Sequence, residues 1–376
     1  MPQLRYFTAG ESHGQCLIGV LEGLPAGLKI NLDSISHDLA RRQKGYGRGG
    51  RMKIEADLAE ILSGVRLGET IGSPVALMVK NRDFKINELP PVTKPRPGHA
   101  DLAGVIKYDR QDARDILERS SARETTVRVA IGAICKQLLA QVGIDVVGHI
   151  VTLGAVQAKT DGLTFQEIRQ RSEASEVRCV DPEAEKKMIA AVDDAKPRGD
   201  TLGGVFEIIA VGCPIGLGSH VQWDRKLDAN LARALMSIQA IKGVEVGLGF
   251  EAARRFGSQV HDEILPGQEG LLSRASNNAG GFEGGMTNGQ PVVVRAAMKP
   301  LSTLMKPMRS VDIQTKEEVK ATVERSDVCA TPAAAVIGEA VVAFELAKAL
   351  LDKFGGDSVR ELKRNVESYR EACKRW

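Results

Sequence analysis

The sequence is poor in aromatic residues, which make up 4% of its 376 residues. This scarcity argues against a surface that binds nucleic acid by stacking bases on aromatic rings. No apolar run approaches the roughly 20 residues that a membrane-spanning helix needs. The N-terminal segment MPQLRYF also lacks the apolar stretch of a secretion signal. We therefore expect a cytoplasmic protein that binds neither nucleic acid nor a membrane.

The sequence also lacks paired cysteines. There is no Cys-x-x-Cys motif, and no cysteine has a histidine partner at metal-ligand spacing. Such scattered cysteines are typical of reduced thiols that fill a core, so neither disulfides nor a metal site are predicted. The six are Cys16, Cys135, Cys179, Cys213, Cys329 and Cys373.

The formal net charge of +3 is too small to identify a polyanionic partner. The basic residues are nevertheless concentrated in short segments that also contain glycine, proline or serine. Several such segments, rather than one long basic helix, favour loops that converge on a small ligand with several negative charges. The segments are RRQKGYGRGGRMK (41–53), KPRPGH (94–99), ERSSARETTVR (118–128) and MKPLSTLMKPMR (298–309).

The segment GESHG (10–14) fits the pattern G-x-S-x-G of serine hydrolases. In those enzymes a helix follows the serine directly, so that its hydroxyl projects above a parallel sheet. Here LRYFTA before the segment and CLIGVLEGLP after it both have strand character, which predicts a β-hairpin. The turn would leave His13 accessible. A hydrolase with Ser12 as its nucleophile is the first alternative function.

The segment GYGRGG (45–50) fits the dinucleotide fingerprint G-x-G-x-x-G. That fingerprint requires a preceding strand, whereas a charged helix precedes this segment. A nucleotide-binding or RNA-binding module is therefore the second, weaker alternative. The glycines and arginines between Arg42 and Lys53 favour a flap that is mobile in the empty protein and orders over an anionic ligand.

Hydrophobic periodicity predicts interleaved strands and helices without a linker, and hence one domain over residues 1–376. The predicted strands cover 58–66, 73–80, 145–156 and GGVFEIIAVGC. The predicted helices run from Asp33 to about 43, over about 111–142, from Thr164, from Asp181, from Asp224 to Gly243, and through the last 45 residues with a break at Gly355–Gly356.

A weak internal repeat accompanies this pattern. GLPAGL (23–28) and GCPIGL (212–217) share the motif G-x-P-x-G-L after a strand, and each is followed by a helix that carries Leu-Ala-Arg. The repeat predicts two strand-helix-strand halves that are related by a pseudo-twofold axis.

Six longer segments carry a family resemblance. GESHGQCLIGVLEGLP, ERSSARETTVRVAIGAI and RSDVCATPAAAVIGEA match the three signature regions of chorismate synthases, and RRQKGYGRGGRMK, RPGHAD and GGFEGGMTNGQP match further segments. The chain resembles that family along essentially its full length. The resemblance implies a single-domain α/β (α+β) sandwich, with helices packed between or against antiparallel sheets, and a homotetramer.

The resemblance also implies a reaction. Chorismate synthases convert 5-enolpyruvylshikimate 3-phosphate to chorismate by 1,4-anti elimination of phosphate, with reduced FMN and no net redox change. The substrate carries a phosphate and two carboxylates, and FMN adds a phosphate, so guanidinium groups are expected around the site. A histidine near its pKa can assist the proton transfers.

Three catalytic residues follow from the resemblance. His13 corresponds to the histidine that protonates the reduced flavin, His99 to the histidine beside the substrate phosphate, and Asp327 to the acid near flavin N5. Asp327 has an alternative structural role, in which it pairs with Arg325 or caps the helix near Thr331. The other histidines (His37, His149, His220 and His261) are expected to be structural, with His37 on a solvated helix face.

Binding residues carry over in the same way. Ser12, Arg42, Arg48 and Arg123 are expected to contact the substrate or NADPH. Gln239 stands where relatives have Asn, so its contact is the least secure. NADPH is the possible reductant of the flavin, and a separate flavin reductase is the expected supplier of reduced FMN. The predicted FMN contacts are Arg119, Ser120, Ser121, Gln239, Ala240, Gly284, Lys299, Pro300, Leu301, Ser302, Thr303 and Arg325.

Overall fold

The computed structural model of the chain describes residues 4–48, 57–267, 272–324 and 327–375. Strands and helices alternate along these residues. The strands are β1 (Arg5–Ala9), β2 (Cys16–Glu22), β3 (Ala59–Ile61), β4 (Val65–Arg66), β5 (Glu69–Thr70), β6 (Val75–Lys80), β7 (Asp145–Leu153), β8 (Val156–Gln157), β9 (Gly204–Val211), β10 (Ile241–Val246), β11 (Ile264–Pro266), β12 (Leu272–Arg274), β13 (Phe282–Glu283), β14 (Met286–Thr287), β15 (Val292–Met298), β16 (Arg309–Val311) and β17 (Glu318–Lys320).

The helices connect these strands or close the chain. They are α1 (Leu32–Gln43), α2 (Asp101–Tyr108), α3 (Arg114–Ser120), α4 (Thr125–Ala140), α5 (Phe165–Ala174), α6 (Pro182–Ala195), α7 (Leu227–Met236), α8 (Thr331–Phe354) and α9 (Val359–Cys373). No helix among the described residues has the length and apolar character that crossing a membrane requires.

Two larger sheets organise the fold. One has the strand order β1-β2-β6-β3 and the other has the order β10-β15-β9-β7-β8. Neighbouring strands in both sheets pair antiparallel. Burial alternates strictly along β2 and β15, which is the pattern of a sheet with one face against a core. The fold is therefore mixed α and β with antiparallel sheets.

Helices α4 and α8 supply that core. Helix α4 contacts β2 and β6, helix α8 contacts β7 and β9, and the two helices pack against each other. Both are buried over most of their length, as expected for helices that are apolar on all sides. Gly132 permits the close packing, because a Cβ at this position would overlap the Cβ of Ala340.

Several sequence predictions are confirmed. Strands β1 and β2 form the predicted antiparallel hairpin around the GESHG turn. Thr164 and Glu167 form the capping box of α5, and Pro182 occupies the first turn of α6 after the Asp181 cap. The last two helices break at Gly355–Gly356, and Ser358 caps the second of them. None of the six cysteines forms a disulfide.

Other boundaries were wrong. Helix α1 is capped by the side chain of Asn31, which accepts from Ser34 N at 3.1 Å, and not by Asp33. The predicted helix over 111–142 is interrupted at Ser121, whose backbone is extended, so that α3 and α4 are separate. The strand predictions 58–66 and 145–156 each contain a break, since β3 ends at Ile61 and β7 ends at Leu153.

The predicted helix from Asp224 to Gly243 was wrong at both ends. Helix α7 follows Lys226 and has no side-chain cap, and it ends at Met236. The residues beyond it form β10, which pairs with β15 at the edge of the second sheet. Sheet pairing across a long sequence separation overrides the local preference here.

Candidate active site

The β1–β2 turn presents His13 next to a buried carboxylate. His13 Nδ1 lies 2.9 Å from Glu118 Oε1, and its backbone N–H donates to Glu118 Oε2 at 2.8 Å. The carbonyl of His13 accepts from the backbone of Lys85 and Ile86 at 3.1 Å. Gly10 makes the turn possible, because its φ is +105° and a Cβ there would clash with the Cys16 carbonyl oxygen.

Glu118 determines which nitrogen of His13 is available. Burial would raise the pKa of Glu118, but hydrogen bonds from His13 and the nearby Arg114 charge hold it below its usual value. The ionised carboxylate can only accept, so His13 Nδ1 donates to it. His13 Nε2 is left for proton exchange, and Asp83 Oδ2 lies 3.8 Å from it. The side chain of His13 is 14% exposed, which leaves access for a ligand.

His99 is held in the same manner by a different carboxylate. His99 Nδ1 lies 2.5 Å from Asp101 Oδ1, at the start of α2. Arg96 binds the same carboxylate through two hydrogen bonds, Nε to Oδ2 at 2.8 Å and Nη2 to Oδ1 at 3.0 Å. Arg96 Nη1 also donates to Thr303 Oγ1 at 2.8 Å. The RPGHAD segment is thereby joined to the segment 299–303.

The charge of Asp101 fixes the proton on His99. Asp101 is fully buried, which would raise its pKa, but hydrogen bonds from His99 and Arg96 hold that pKa well below its usual range. Asp101 is therefore an acceptor, and His99 Nδ1 is the donor. His99 Nε2, which lies 3.3 Å from Arg96 Nη2, is the nitrogen that can exchange a proton, on a side chain that is 19% exposed.

A cluster of arginines lies between α1 and the start of α4. Arg123 Nη1 donates to Asp57 Oδ1 at 2.6 Å, and Arg123 Nε donates to Asn81 Oδ1 at 2.9 Å. Arg42 Nε donates to Thr125 Oγ1 at 3.0 Å, and Arg42 Nη1 lies 3.7 Å from Asp57 Oδ2. Asn81 in turn donates to the carbonyls of the GESHG turn, so the cluster adjoins His13.

This cluster carries excess positive charge. Burial lowers the pKa of Arg42 to about 9, an effect that Asp57 opposes and the charges of Arg48 and Arg123 reinforce. Arg42 remains protonated at neutral pH. Arg48 Nη1 pairs with Asp327 Oδ2 at 2.8 Å, so this carboxylate faces an arginine of the cluster. An anion bound here would relieve the mutual repulsion of the guanidinium groups.

The predicted flap needs correction where the structure describes it. Arg42 lies inside α1 and is 4% exposed, so it is not a flap residue. Tyr46 is held by its backbone N–H on Glu176 O at 3.0 Å and by its hydroxyl on Asp193 at 2.7 Å. The carbonyl of Gly47 accepts from Val328 N at 2.8 Å. Residues 44–48 are therefore packed in place, and residues 49–56 lie outside the described residues.

Most of the predicted FMN contacts are connected to these groups. Arg119 donates to the carbonyls of Thr8 and Gly10, and it lines a cleft of about 610 Å³ with Ser120 and Ala100, the neighbour of His99. Ser121 forms the cap that precedes Arg123. Residues of the second signature region and of the RPGHAD segment therefore line one cleft, and Arg119 links it to Gly10 of the first signature region.

A second group of predicted FMN contacts lies next to the paired ends of β10 and β15. Lys299 donates through its backbone to Ala240 O at 2.9 Å and through Nζ to Gly98 O at 3.0 Å. Gln239 Nε2 donates to Glu124 Oε1 at 3.0 Å, while Gln239 Oε1 is buried and has no hydrogen-bond partner. Leu301 O accepts from Thr201, and Pro300 and Ser302 lie in the same segment.

One predicted contact, Gly284, has other surroundings. A Cβ at Gly284 would meet His220 and Met286, at 3.6 and 4.0 Å, so this glycine borders another part of the surface. Arg325 lies outside the described residues. The N-cap residue of α8 is Ala330, so Asp327 does not occupy the N-cap position.

Ser12 and His149 have structural surroundings, whereas His37 is exposed. Ser12 is 2% exposed and its backbone N–H donates to Glu118 O, which fits a residue that anchors the turn. His149 is fully buried, and its Nε2 lies 3.0 Å from Glu207. The side chain of His37 is 69% exposed on α1, as predicted.

Sequence reasoning missed the carboxylates that hold the histidines. Glu118 opens the segment ERSSARETTVR, and Asp101 and Arg96 bound the segment RPGHAD, so all three were within recognised motifs. The one available signal was Asp101, which lies two residues after His99 in RPGHAD. No sequence signal pairs Glu118 with His13, which is 105 residues away.

These groups form a candidate site of an enzyme class that handles anions and protons, with two histidines, each beside an ionised carboxylate, and a cluster of buried arginines. The comparisons with known proteins agree with this class. The family model for chorismate synthase matches residues 4–351. Chorismate synthase from Geobacter sulfurreducens is 62% identical over 388 aligned residues, which cover 98% of each chain. Chorismate synthase 1 from Bacillus cereus is 58% identical and covers 99% of this chain and 100% of its own.

A solved structure of the same family also matches this chain. A crystal structure of chorismate synthase superimposes with a TM-score of 0.84 at 46% sequence identity, with 100% of both chains covered. The chain belongs to the chorismate synthase family, whose members are carbon–oxygen lyases of aromatic amino acid biosynthesis.

Proposed function

We propose that this chain eliminates phosphate from 5-enolpyruvylshikimate 3-phosphate to give chorismate, with FMN bound in reduced form. The observation that carries the proposal is the pair of histidines, each held through Nδ1 by an ionised carboxylate beside buried arginines. Two such histidines suit proton transfer next to an anion, and a site of this kind suits a phosphate leaving group.

Substrate binding and proton transfer would be carried out by different residues of this chain. Arg42, Arg48 and Arg123 bind the carboxylates and phosphate of the substrate, because guanidinium groups stay charged and bind oxyanions in pairs of hydrogen bonds. His99, in its doubly protonated imidazolium form, donates the proton on Nε2 to the phosphate oxygen as the carbon–oxygen bond breaks, and Nδ1 keeps its hydrogen bond to Asp101. Ser12 fixes the turn that carries His13.

His13 and Asp327 would control protons on the cofactor side. His13 takes up and releases a proton at Nε2, because Nδ1 keeps its own proton in the hydrogen bond to Glu118. Asp327 holds a proton-accepting carboxylate in position through its 2.8 Å pair with Arg48. Both assignments follow the family's pattern and stand as proposals for this chain.

The residues present fit FMN. Gln239 Oε1 is a buried acceptor without a partner, and a ligand N–H would satisfy it. Lys299 supplies a cation next to Gly98, and Arg119 and Ser120 line the adjoining cleft. These residues, with Ser121, Ala240 and the segment 300–303, would hold the cofactor. When bound, reduced FMN lends electron density to the reaction and is not consumed.

The test is anaerobic turnover of 5-enolpyruvylshikimate 3-phosphate with photoreduced FMN, followed by the absorbance of chorismate. We expect chorismate only with reduced FMN, and many turnovers for each reduced flavin. Product formation with oxidised FMN, or one reductant consumed for each product, would contradict the proposal. Protein heated to unfolding is the control for chemistry in free solution.

We propose further that the active form is a homotetramer in the cytoplasm and that a separate reductase supplies the reduced FMN. NADPH oxidation by the purified chain with FMN would instead assign the reduction to this chain. Sedimentation equilibrium would measure the assembly, and a species of one chain at micromolar concentration would contradict the tetramer.

We also propose that the chain is a single sandwich-like domain with two related halves. One half runs β1, β2, α1, β3, β6 and α4, and the other runs β7, β9, α7, β10, β15 and α8, with matching positions in the two sheets. Thr70 Oγ1 accepts from Leu28 N at 2.9 Å and donates to Pro25 O at 2.7 Å. Thr287 repeats both bonds at 2.8 and 2.6 Å in the second G-x-P-x-G-L loop.

A further inference from the structure

A second cleft, of about 340 Å³, lies between β1 and the helices α4, α7 and α8. We call it the Arg128 cleft. It shares no residue with the site described above. Its volume is at the lower end of the range for small-molecule pockets, which suits a ligand with a single ring.

The polar wall of the Arg128 cleft is mostly cationic. Arg5, Arg128, Arg233 and Lys348 line it, and Glu345 is the acid among its lining residues. Glu345 lies 3.7 Å from Arg233 and 4.0 Å from Lys348. Outside the lining, Glu22 pairs with Arg5 at 2.6 Å and Glu124 lies 3.5 Å from Arg128. Three carboxylates therefore accompany the four cations, and one added negative charge would balance this wall.

Arg128 is the buried member of the wall. It is 8% exposed, and its Nη2 donates to Ser237 Oγ at 2.7 Å. Its Nη1 makes longer contacts, at 3.4 Å to Ser237 O and 3.5 Å to Glu124 Oε1. Its Nε is buried and has no hydrogen-bond partner. Buried guanidinium donors normally have acceptors, so Nε is the one donor of Arg128 that a ligand carboxylate could satisfy, once the side chain turns toward the cleft.

The rest of the lining is apolar and aromatic, apart from Ser237 and the hydroxyl of Tyr6, which hydrogen-bonds the side chain of Arg128. Tyr6 and Phe344 pack edge to face with their ring centroids 4.6 Å apart. Leu4, Ala234 and Val341 complete this part of the lining. An aromatic ring of a ligand could extend the ring pair, whereas a bare inorganic anion would leave this surface uncovered.

We propose that the Arg128 cleft binds a small carboxylate that carries one aromatic ring, and that this binding is coupled to the active site through Glu124. Glu124 Oε1 faces both Arg128, at 3.5 Å, and Gln239 Nε2, at 3.0 Å. A ligand that draws Arg128 toward itself frees Glu124 to bind Gln239 alone. The coupling rests on the proposed role of Gln239 in holding FMN, whereas the binding does not.

Isothermal titration of the full chain without FMN tests the binding, with phenylacetate and inorganic phosphate as separate probes. We expect one phenylacetate per chain and phosphate binding at least tenfold weaker. Arg233→Gln at the rim and Ala234→Leu, which fills the cleft, should each weaken phenylacetate binding at least tenfold. Arg254→Gln is the matched control, because Arg254 is 74% exposed and pairs with Glu251 outside the cleft. Unchanged circular dichroism confirms that each variant is folded.

Four outcomes would overturn the proposal. They are no binding of phenylacetate, equal binding of both probes, loss of binding in Arg48→Ala but not in Arg233→Gln, and dissociation of an oligomer by Ala234→Leu without ligand binding. The third would place the ligand in the active site, and the fourth would make the cleft an interface between copies of the chain.

The coupling has its own measurement. Phenylacetate should change the affinity for FMN at least threefold in the wild-type chain and leave it unchanged in Ala234→Leu. An unchanged FMN affinity in the wild type would overturn the coupling. If the wild-type chain did not bind FMN at all, the proposed function would fail, while the titration with phenylacetate would still decide the cleft.

Discussion

At the scale of single residues, His13 and His99 have the same hydrogen-bonding arrangement. In each, Nδ1 donates to a buried carboxylate that is kept ionised by its neighbours, and Nε2 is left for chemistry. The carboxylates Glu118 and Asp101 come from unrelated parts of the fold. This arrangement fixes the tautomer and the ring orientation before a ligand arrives, which is how a positioned general acid or base gains its rate advantage.

Replacement of His13 by alanine should lower kcat on the order of 100-fold, the usual scale for a lost proton-transfer group. FMN affinity and the thermal midpoint should change little, because His13 lies in a turn and its backbone bonds remain. Stopped-flow turnover with reduced FMN measures the effect. His37→Ala, on an exposed helix face, is the control. Near-normal kcat in His13→Ala would remove the catalytic assignment.

Replacement of Asp101 by asparagine should alter the pH dependence of stability. The pKa of Asp101 is held well below its usual range in the folded chain. Its stabilisation is thus fully present above about pH 4 and is lost as the pH falls below that, by about 1 kcal/mol for the first unit. Urea unfolding at pH 7 and pH 3 should show a smaller gap between Asp101→Asn and wild type at pH 3. An equal gap at both values would contradict this.

At the scale of elements, the packing of α4 on α8 joins the two larger sheets, because α4 contacts β2 and β6 and α8 contacts β7 and β9. A Cβ at Gly132 would overlap the Cβ of Ala340 and lie 2.7 Å from its backbone oxygen, so the helices would have to separate. Helix propensity favours alanine over glycine by about 1 kcal/mol, which opposes the clash but does not exceed it.

Gly132→Ala should therefore reduce the free energy of unfolding, by roughly 1–3 kcal/mol. Thermal and urea unfolding would measure the loss. Gly257→Ala is the control, because the nearest atom to a Cβ there is His261 Cδ2 at 3.6 Å, an ordinary contact. A stabilised Gly132→Ala variant would mean that α4 and α8 can move apart without cost.

At the scale of the whole molecule, the two G-x-P-x-G-L loops invite a matched comparison. Thr70→Val and Thr287→Val each leave a buried N–H and a buried carbonyl without a partner. Each should cost about 1–3 kcal/mol of unfolding free energy, and the two losses should be similar. Thr315→Val, at an exposed position, should be close to neutral. Losses that differ by several-fold would argue against equivalent halves.

The sequence by itself determined the family, the hairpin around His13, the caps of α5, α6 and α9, and the arginine-rich character of the site. These features depend on short-range signals: turn residues next to strands, capping residues next to periodic segments, and motifs of a dozen or more residues. The same local signals placed Asp33 and Asp224 as caps wrongly, because capping residues are common and only the folded chain selects among them.

Only the tertiary structure decided which charges meet. Glu118 reaches His13 across 105 residues, and Arg96 reaches Thr303 across 207. The glycines and arginines of this region predicted a flap that includes Arg42 and residues 44–48. In the structure, contacts to Thr125, Glu176 and Val328 hold these residues in place. The end of α7 was likewise set by β15, which takes the following residues into the sheet. Each of these outcomes rests on burial and pairing between distant segments, and no local pattern encodes them.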